Sequence, residues 1–139
     1  MPYFQWDRSL SVGEAALDND HKSLIELINE LHGAANANQD TDILEEILQR
    51  LLIYTSEHFA REEKMMEEYQ FLELASHKKQ HRKLIERVLT LQKALAENRA
   101  YVAQETAELL RFWLTSHIHV ADKALAKAIQ SSHEVSIKS

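Results

Sequence analysis

The spacing of apolar positions along the chain predicts four long helices. Apolar residues recur in alternating steps of three and four, which is the spacing of side chains on one face of an α-helix. We predict one helix beginning near Asp18 and closed by GAANANQD, followed by helices over about 42–68, 72–97 and 102–130. The core row of the second helix illustrates the pattern: Leu44, Leu48, Leu51, Thr55, His58 and Glu62.

Four such helices joined by short connections favour an all-α fold, an up-down-up-down antiparallel four-helix bundle. The scarcity of helix breakers agrees with this, since the chain has only two glycines and one proline, at position 2. We expect a single domain over residues 1–139. It comprises an extended N-terminal arm (1–17), the bundle (18–130) and a tail without periodicity (131–139).

Local signals at the helix starts refine this outline. Asp18 is the expected N-cap of the first helix. Asp42 followed three residues later by Glu45 is the expected capping box of the second. The arm has no helical period, and its apolar residues are the expected anchors on the bundle: Phe4, Trp6, Leu10 and Val12.

Composition excludes several classes of function. There are no cysteines, so a metal site must use nitrogen and oxygen ligands. The net charge of −6 provides no basic footprint for nucleic acid or for an anionic membrane. No apolar run approaches the ~20 residues of a membrane span. The opening MPYFQWDRSL lacks the features of a secretory signal, so we expect a cytoplasmic protein.

Polar residues interrupt the apolar rows near one end of each predicted helix. In an antiparallel bundle, the start of the first and third helices lies beside the end of the second and fourth, so these side chains should meet inside the bundle. Buried polar groups require partners or a bound species. The seven residues are His21, His58, Glu62, His77, His81, His117 and Asp122.

The fourth helix has an irregular spacing at this end. His117 and Asp122 are five residues apart, and a regular helix would turn them away from a shared face. The row that continues through Leu125 and Ile129 is one residue out of phase with the row through Trp113. We therefore predict a wide, π-type turn between His117 and Asp122, an irregularity common at functional sites.

Five imidazoles and two carboxylates exceed the ligand set of one tetrahedral zinc. They suit two six-coordinate ions that share the carboxylates, with one position left open. An open position beside two redox-active irons, with no haem motif and no thiol, indicates O₂ binding. A structural bundle that holds zinc is the alternative.

The chain resembles the hemerythrins, specifically the single-domain bacterial ones. The resemblance covers nearly the whole chain and depends on a lone histidine, His21, followed by the motifs HFARE (58–62), HKKQH (77–81) and HIHVAD (117–122). It implies two non-haem iron ions with a bridging oxo or hydroxo group. His77, His81 and His117 would bind one iron and His21 and His58 the other, which keeps the open position, while Glu62 and Asp122 would bridge them.

The resemblance also implies an apolar O₂ pocket. Its candidate lining residues are Ile25, Phe59, Trp113, Leu114 and Ile118. Two departures from the family pattern are Asp20, where a longer side chain is common, and His119; we expect neither to touch the ligands. We likewise expect Glu63 to point outward.

The sequence leaves three functions open. The first is reversible O₂ binding by a non-enzymatic monomer for storage, transport or delivery. The second is O₂ sensing through an unidentified protein partner. The third is reduction of peroxide or nitric oxide at the di-iron site.

Overall fold

The computed structural model describes residues 3–95, 97 and 99–138, with side chains described for all of these except 99–100 and 132–138. In this described part, five α-helices follow one another, and a π-helical turn, Ile118–Asp122, joins the last two. The helices are α1 (Ala15–Asn36), α2 (Thr41–Glu68), α3 (Leu74–Ala94), α4 (Arg99–His117) and α5 (Lys123–Lys138). A short 3₁₀ turn, Arg8–Leu10, precedes them.

The helices form a four-helix bundle, with α4, the π turn and α5 serving as its fourth rod. Contacts connect α1 to α2, α2 to α3, α3 to α4 and α4 back to α1, so neighbours in the chain are neighbours in space. No strand occurs among the described residues, and the predicted fold class is confirmed. Within the same residues, none of the helices combines the length and apolarity that crossing a bilayer requires.

The predicted helix rows are the buried ones. In α2, Leu44 and Leu48 are fully buried, and the row remains buried where it turns polar at His58 and Glu62. Burial of the aliphatic half of each row supplies the main stabilisation, about 25 cal/mol for each Å² of apolar surface removed from water. The polar half lies at the opposite end of the bundle, where burial alone would be unfavourable.

The predicted start of α1 was wrong. The helix begins at Ala15, three residues before the expected cap, with Glu14 at the N-cap position. Asp18 lies in the first turn, where its carboxylate accepts hydrogen bonds from the backbone N–H of Val12 (2.9 Å) and the hydroxyl of Ser11 (2.7 Å). The carboxylate therefore holds the arm, and the chain enters the helix earlier by turning at Gly13, whose φ is +78°.

The capping box expected at the start of α2 was also wrong. Asp40, rather than Asp42, takes the N-cap position, and no side chain there caps the helix. The end of α2 is better defined. Gln70 adopts a left-handed φ of +52°, and the backbone N–H of Phe71 donates to the carbonyl of Met66 (2.8 Å), which is the Schellman arrangement that satisfies terminal carbonyls.

The N-terminal arm is fastened to the bundle by specific contacts. The side-chain amide of Asn29 makes two hydrogen bonds of 2.7 Å with the backbone N–H and carbonyl of Phe4. Phe4, Leu10 and Val12 are buried, and Trp6 is half-buried below the ammonium of Lys22. The predicted anchors are thus the observed ones; residues 1 and 2 lie outside the described part of the chain.

The fourth rod contains the predicted irregularity. Residues Ile118–Asp122 form a π-helical turn, and this prediction is confirmed. Beyond it the helix continues to Lys138, past the predicted end near residue 130. Leu125 and Ile129 are buried, which accounts for the shifted apolar row that follows Asp122.

The aliphatic end of the bundle should tolerate little loss of volume. Replacing the fully buried Leu48 by alanine should lower the free energy of unfolding by about 2–5 kcal/mol, because a cavity remains where the side chain was. Urea denaturation measures this. Leu72, which is 99% exposed, is the control, and its alanine variant should differ from the parent by less than about 0.5 kcal/mol. Equal effects of the two substitutions would contradict the burial of Leu48 in a packed core.

Candidate metal centre

The seven polar residues singled out in the sequence lie together inside one end of the bundle. Each helical rod contributes at least one of them, and all seven are at most 6% exposed. Ligand-competent atoms of these residues form two groups, within each of which every atom lies within 4.8 Å of the others. One group is Glu62, His77, His81 and His117; the other is His21, His58, Glu62 and Asp122.

In the first group, three ring nitrogens converge from α3 and α4. The Nε2 atom of His117 lies 2.9 Å from Nε2 of His77 and 3.2 Å from Nε2 of His81. Two nitrogens at right angles around an ion about 2.1 Å away would be about 3.0 Å apart, whereas tetrahedral angles would place them about 3.4 Å apart. The 2.9 Å separation matches octahedral coordination, whereas the 3.2 Å separation lies between the two geometries.

The second group joins α1, α2 and the π turn. The Nε2 atom of His21 is 2.9 Å from Oδ2 of Asp122, and Nε2 of His58 is 3.0 Å from Oε2 of Glu62. The rings of His21 and His58 are edge to face, with centroids 5.0 Å apart. The wide turn is what brings the Asp122 carboxylate to the inner face, five residues after His117.

The two carboxylates each face both histidine groups. Oε1 of Glu62 is 2.6 Å from Nε2 of His77, while its Oε2 faces His58. Oδ1 of Asp122 lies 3.1 Å from Nε2 of His117, while its Oδ2 faces His21. Each carboxylate thus presents one oxygen to either side, which is the disposition required to bridge two cations.

Unpartnered atoms at the cluster indicate that a cation belongs there. Seven buried atoms make no hydrogen bond within the described residues, although several lie within about 3 Å of one another. They are both ring nitrogens of His21, Nε2 of His58, and all four carboxylate oxygens of Glu62 and Asp122. Because buried unsatisfied groups are rare and costly, this donor set fits a pair of metal ions.

The electrostatics of the cluster also favour positive charge. Burial by itself would lower the pKa of His58, but the carboxylates of Asp20 and Glu62 outweigh it and raise that pKa to about 9. Burial would also lower the pKa of His77, but the carboxylates of Asp122 and Glu62 outweigh it and raise that pKa to about 9. Burial would raise the pKa of Glu62, yet Asp122 and the imidazoles hold it well below its usual value.

Two further carboxylates contact the cluster from outside, and sequence reasoning missed both. Oδ2 of Asp20 is 2.9 Å from Nδ1 of His58, although we expected Asp20 not to touch the ligands. Oε2 of Glu63 is 3.0 Å from Nδ1 of His81, although we expected Glu63 to point outward. Burial by itself would raise the pKa of Asp20. The hydrogen bonds from His58 and Arg61 outweigh this effect and hold that pKa far below its usual value. His119 is exposed and not part of the cluster.

A small apolar cavity lies beside the cluster. Its volume, taken as the space that the centre of a water-sized sphere can occupy, is about 10 Å³. This is close to the minimum that one water molecule needs. Of the five predicted pocket residues, Phe59, Trp113 and Leu114 line it, whereas Ile25 and Ile118 are buried elsewhere in the core. The remaining lining residues were not predicted to line the pocket; they are Leu24, Ile28, Leu51, Thr55, Leu84 and Leu110.

Two aromatic rings connect the cavity to the histidines. The ring of Phe59 stacks on His81 at a centroid distance of 3.7 Å, and that of Trp113 stacks on His117 at 4.3 Å. Both aromatic residues line the cavity, so its wall is also the apolar cover of the three-histidine group.

Comparison with known proteins agrees with this geometry. The family model described as the hemerythrin HHE cation binding domain matches residues 12–129. A bacteriohemerythrin of Pseudomonas aeruginosa (strain LESB58) is 33% identical over 138 residues, which is 99% of this chain and 89% of the relative. The myohemerythrin of Theromyzon tessulatum is 31% identical over 119 residues, covering 86% and 88% of the two chains.

A solved structure of wild-type hemerythrin has the same arrangement of helices. It superposes with a TM-score of 0.83 at 29% identity, over 91% of this chain and 97% of the other. Fold, buried cluster and sequence similarity therefore lead to one conclusion: this chain belongs to the hemerythrin family.

Proposed function

We propose that this protein binds O₂ reversibly at two non-haem iron ions joined by a bridging oxo or hydroxo group. In this proposal His77, His81 and His117 would hold one iron, His21 and His58 would hold the other, and Glu62 and Asp122 would be shared between them. The observation that carries it is the orientation of the two carboxylates, each of which faces both histidine groups. The iron pair would supply the electrons that O₂ accepts on binding and returns on release.

The surroundings of the cluster favour binding over catalytic turnover. None of the described residues that line the cavity has an ionisable side chain, and the hydroxyl of Thr55 donates its hydrogen to the carbonyl of Leu51 (2.7 Å). A site that reduces peroxide or nitric oxide needs protons delivered to its substrate. We therefore propose a carrier or store of O₂ rather than an enzyme.

Optical titration of the reduced, iron-loaded protein with O₂ tests the proposal. A visible absorption band should appear with O₂ and disappear on degassing over repeated cycles. Continuous consumption of peroxide or nitric oxide in the presence of a reductant would instead identify an enzyme. Retention of zinc in preference to iron, with no response to O₂, would identify a structural metal site.

The apolar cavity should determine how long reversible binding lasts. Replacing Leu84, which lines the cavity from α3, by alanine should admit water and shorten several-fold the time over which the absorption change remains reversible. Repeated O₂ and degassing cycles measure this lifetime. Leu48→Ala is the matched control, since it removes the same atoms at a buried position that does not line the cavity. Equal lifetimes in the two variants would contradict the role of the cavity.

A further inference from the structure

The carboxylate of Asp20 is saturated with hydrogen bonds at the junction of α1 and α2. Its Oδ1 accepts from the hydroxyl of Tyr54 (3.1 Å) and from Nη2 of Arg61 (2.8 Å). Its Oδ2 accepts from Nε of Arg61 (3.1 Å) and lies 2.9 Å from Nδ1 of His58. An ionised carboxylate offers about four acceptor sites, so all of them are used here.

The contact with Asp20 fixes one hydrogen position on the His58 ring. An ionised carboxylate has no hydrogen to donate, so the contact with His58 requires an N–H at Nδ1. The other nitrogen, Nε2, is buried, makes no hydrogen bond and lies 3.0 Å from a Glu62 oxygen. The ring thus turns one donor outward and leaves Nε2 facing the space between the carboxylates, as a metal ligand must.

Arg61 and Tyr54 fix the carboxylate itself. The guanidinium of Arg61 makes a two-pronged contact with Asp20 and lies over the ring of Tyr54, 5.6 Å from its centroid. Such a fork holds a carboxylate in one plane, which a single ammonium would not do. The side chain of Asp20 is 14% exposed and that of His58 is 1% exposed, so the contact between them is shielded from water.

We propose that Asp20, held by Arg61 and Tyr54, is a positioning residue that orients the His58 ring and sets the metal affinity of the His21–His58 group. The inference rests on the proposed metal centre but not on O₂ binding. Partners of this kind typically contribute 10–100-fold to metal affinity, by fixing the tautomer and the ring orientation.

The chain contains a closely matched control for this network. Arg50 of α2 makes a two-pronged contact with Glu30 of α1, at 2.6 and 3.2 Å, and its side chain is 46% exposed, against 48% for Arg61. Both arginines therefore connect the same two helices from the surface. Only the Arg61 pair contacts a residue of the metal cluster.

Cobalt binding tests the proposal without O₂. Titration of metal-free protein with Co²⁺, in competition with a chelator, should resolve two binding steps, and His58→Ala identifies the step of the His21–His58 group. Asp20→Asn should weaken that step by about 10–100-fold and leave the other within about two-fold. Arg61→Gln, at a half-exposed position, should weaken the same step by a smaller factor. Arg50→Gln should change neither step.

Nuclear magnetic resonance of the zinc-loaded protein provides the second readout. Long-range proton–nitrogen correlation should show the His58 hydrogen on Nδ1, and Arg61→Gln should make it exchange faster with solvent while Arg50→Gln does not. A hydrogen on Nε2, an equal loss of both cobalt steps, or an unchanged titration in Asp20→Asn would overturn the proposal. Because neither readout involves O₂, failure of the O₂ titration would leave these results unaffected.

Discussion

Replacing Glu62 by glutamine should abolish binding of both metal ions. Glu62 is the one residue that belongs to both metal-competent groups, and its two oxygens face histidines on opposite sides. Glutamine keeps the size of the side chain but removes the negative charge and turns one ligand oxygen into an N–H donor. The affinity at each group should therefore fall by more than the ~10–100-fold typical of an outer partner, and the O₂ response should be lost.

Metal analysis after reconstitution with ferrous iron measures this effect. Glu67→Gln is the control, because Glu67 lies on the same helix, is exposed and pairs with Lys78 on the surface. That variant should retain the parent's iron content. Full iron content in Glu62→Gln would show that Glu62 is not a bridging ligand, and the proposed centre would then be wrong.

Removing the metal should destabilise the whole bundle. Without a cation, the seven unpartnered atoms of the cluster remain buried, and each unsatisfied group costs about 1–3 kcal/mol. Metal that binds only the folded state stabilises it by about 4 kcal/mol when its concentration is a thousand times the dissociation constant. We expect chelation to lower the melting temperature by more than about 10 °C.

Thermal unfolding of the iron-loaded and chelated proteins, followed by circular dichroism, tests this expectation. Glu62→Gln supplies the internal control, since a protein that holds no metal should not respond to the chelator. The same melting temperature for the loaded and chelated parent would mean that the cluster is satisfied without a cation. Ligation and folding would then be uncoupled, contrary to the usual behaviour of metal sites buried between helices.

Helical periodicity predicted most of the fold because each helix buries one continuous row. The row from Leu44 to Glu62 is buried along its whole length, and the π turn followed from a single extra residue between His117 and Asp122. Helix starts were less predictable. Asp18 has the chemistry of an N-cap, but its carboxylate accepts hydrogen bonds from Ser11 and Val12 of the arm instead.

The candidate site was also predictable from the sequence only in part. The seven polar residues of the cluster were recognisable because they continue the helical spacing of apolar rows. Residues on the same face of a helix as a buried row are expected to be buried as well. Asp20 and Glu63 were not recognisable, since each is adjacent to a predicted ligand in sequence yet contacts a ligand on a different helix. The cavity was only partly anticipated, because its wall combines residues from all four rods.

The amino-acid order by itself determined the four rods, their buried faces and the end of the bundle at which nitrogen and oxygen ligands meet. These properties depend on periodicity, which is local to each helix. Only the tertiary structure decided which carboxylate oxygen faces which imidazole, which outer carboxylate orients His58, and which apolar residues enclose the cavity. Those relations depend on the rotation and depth of one helix against another, which the packing of the whole core sets.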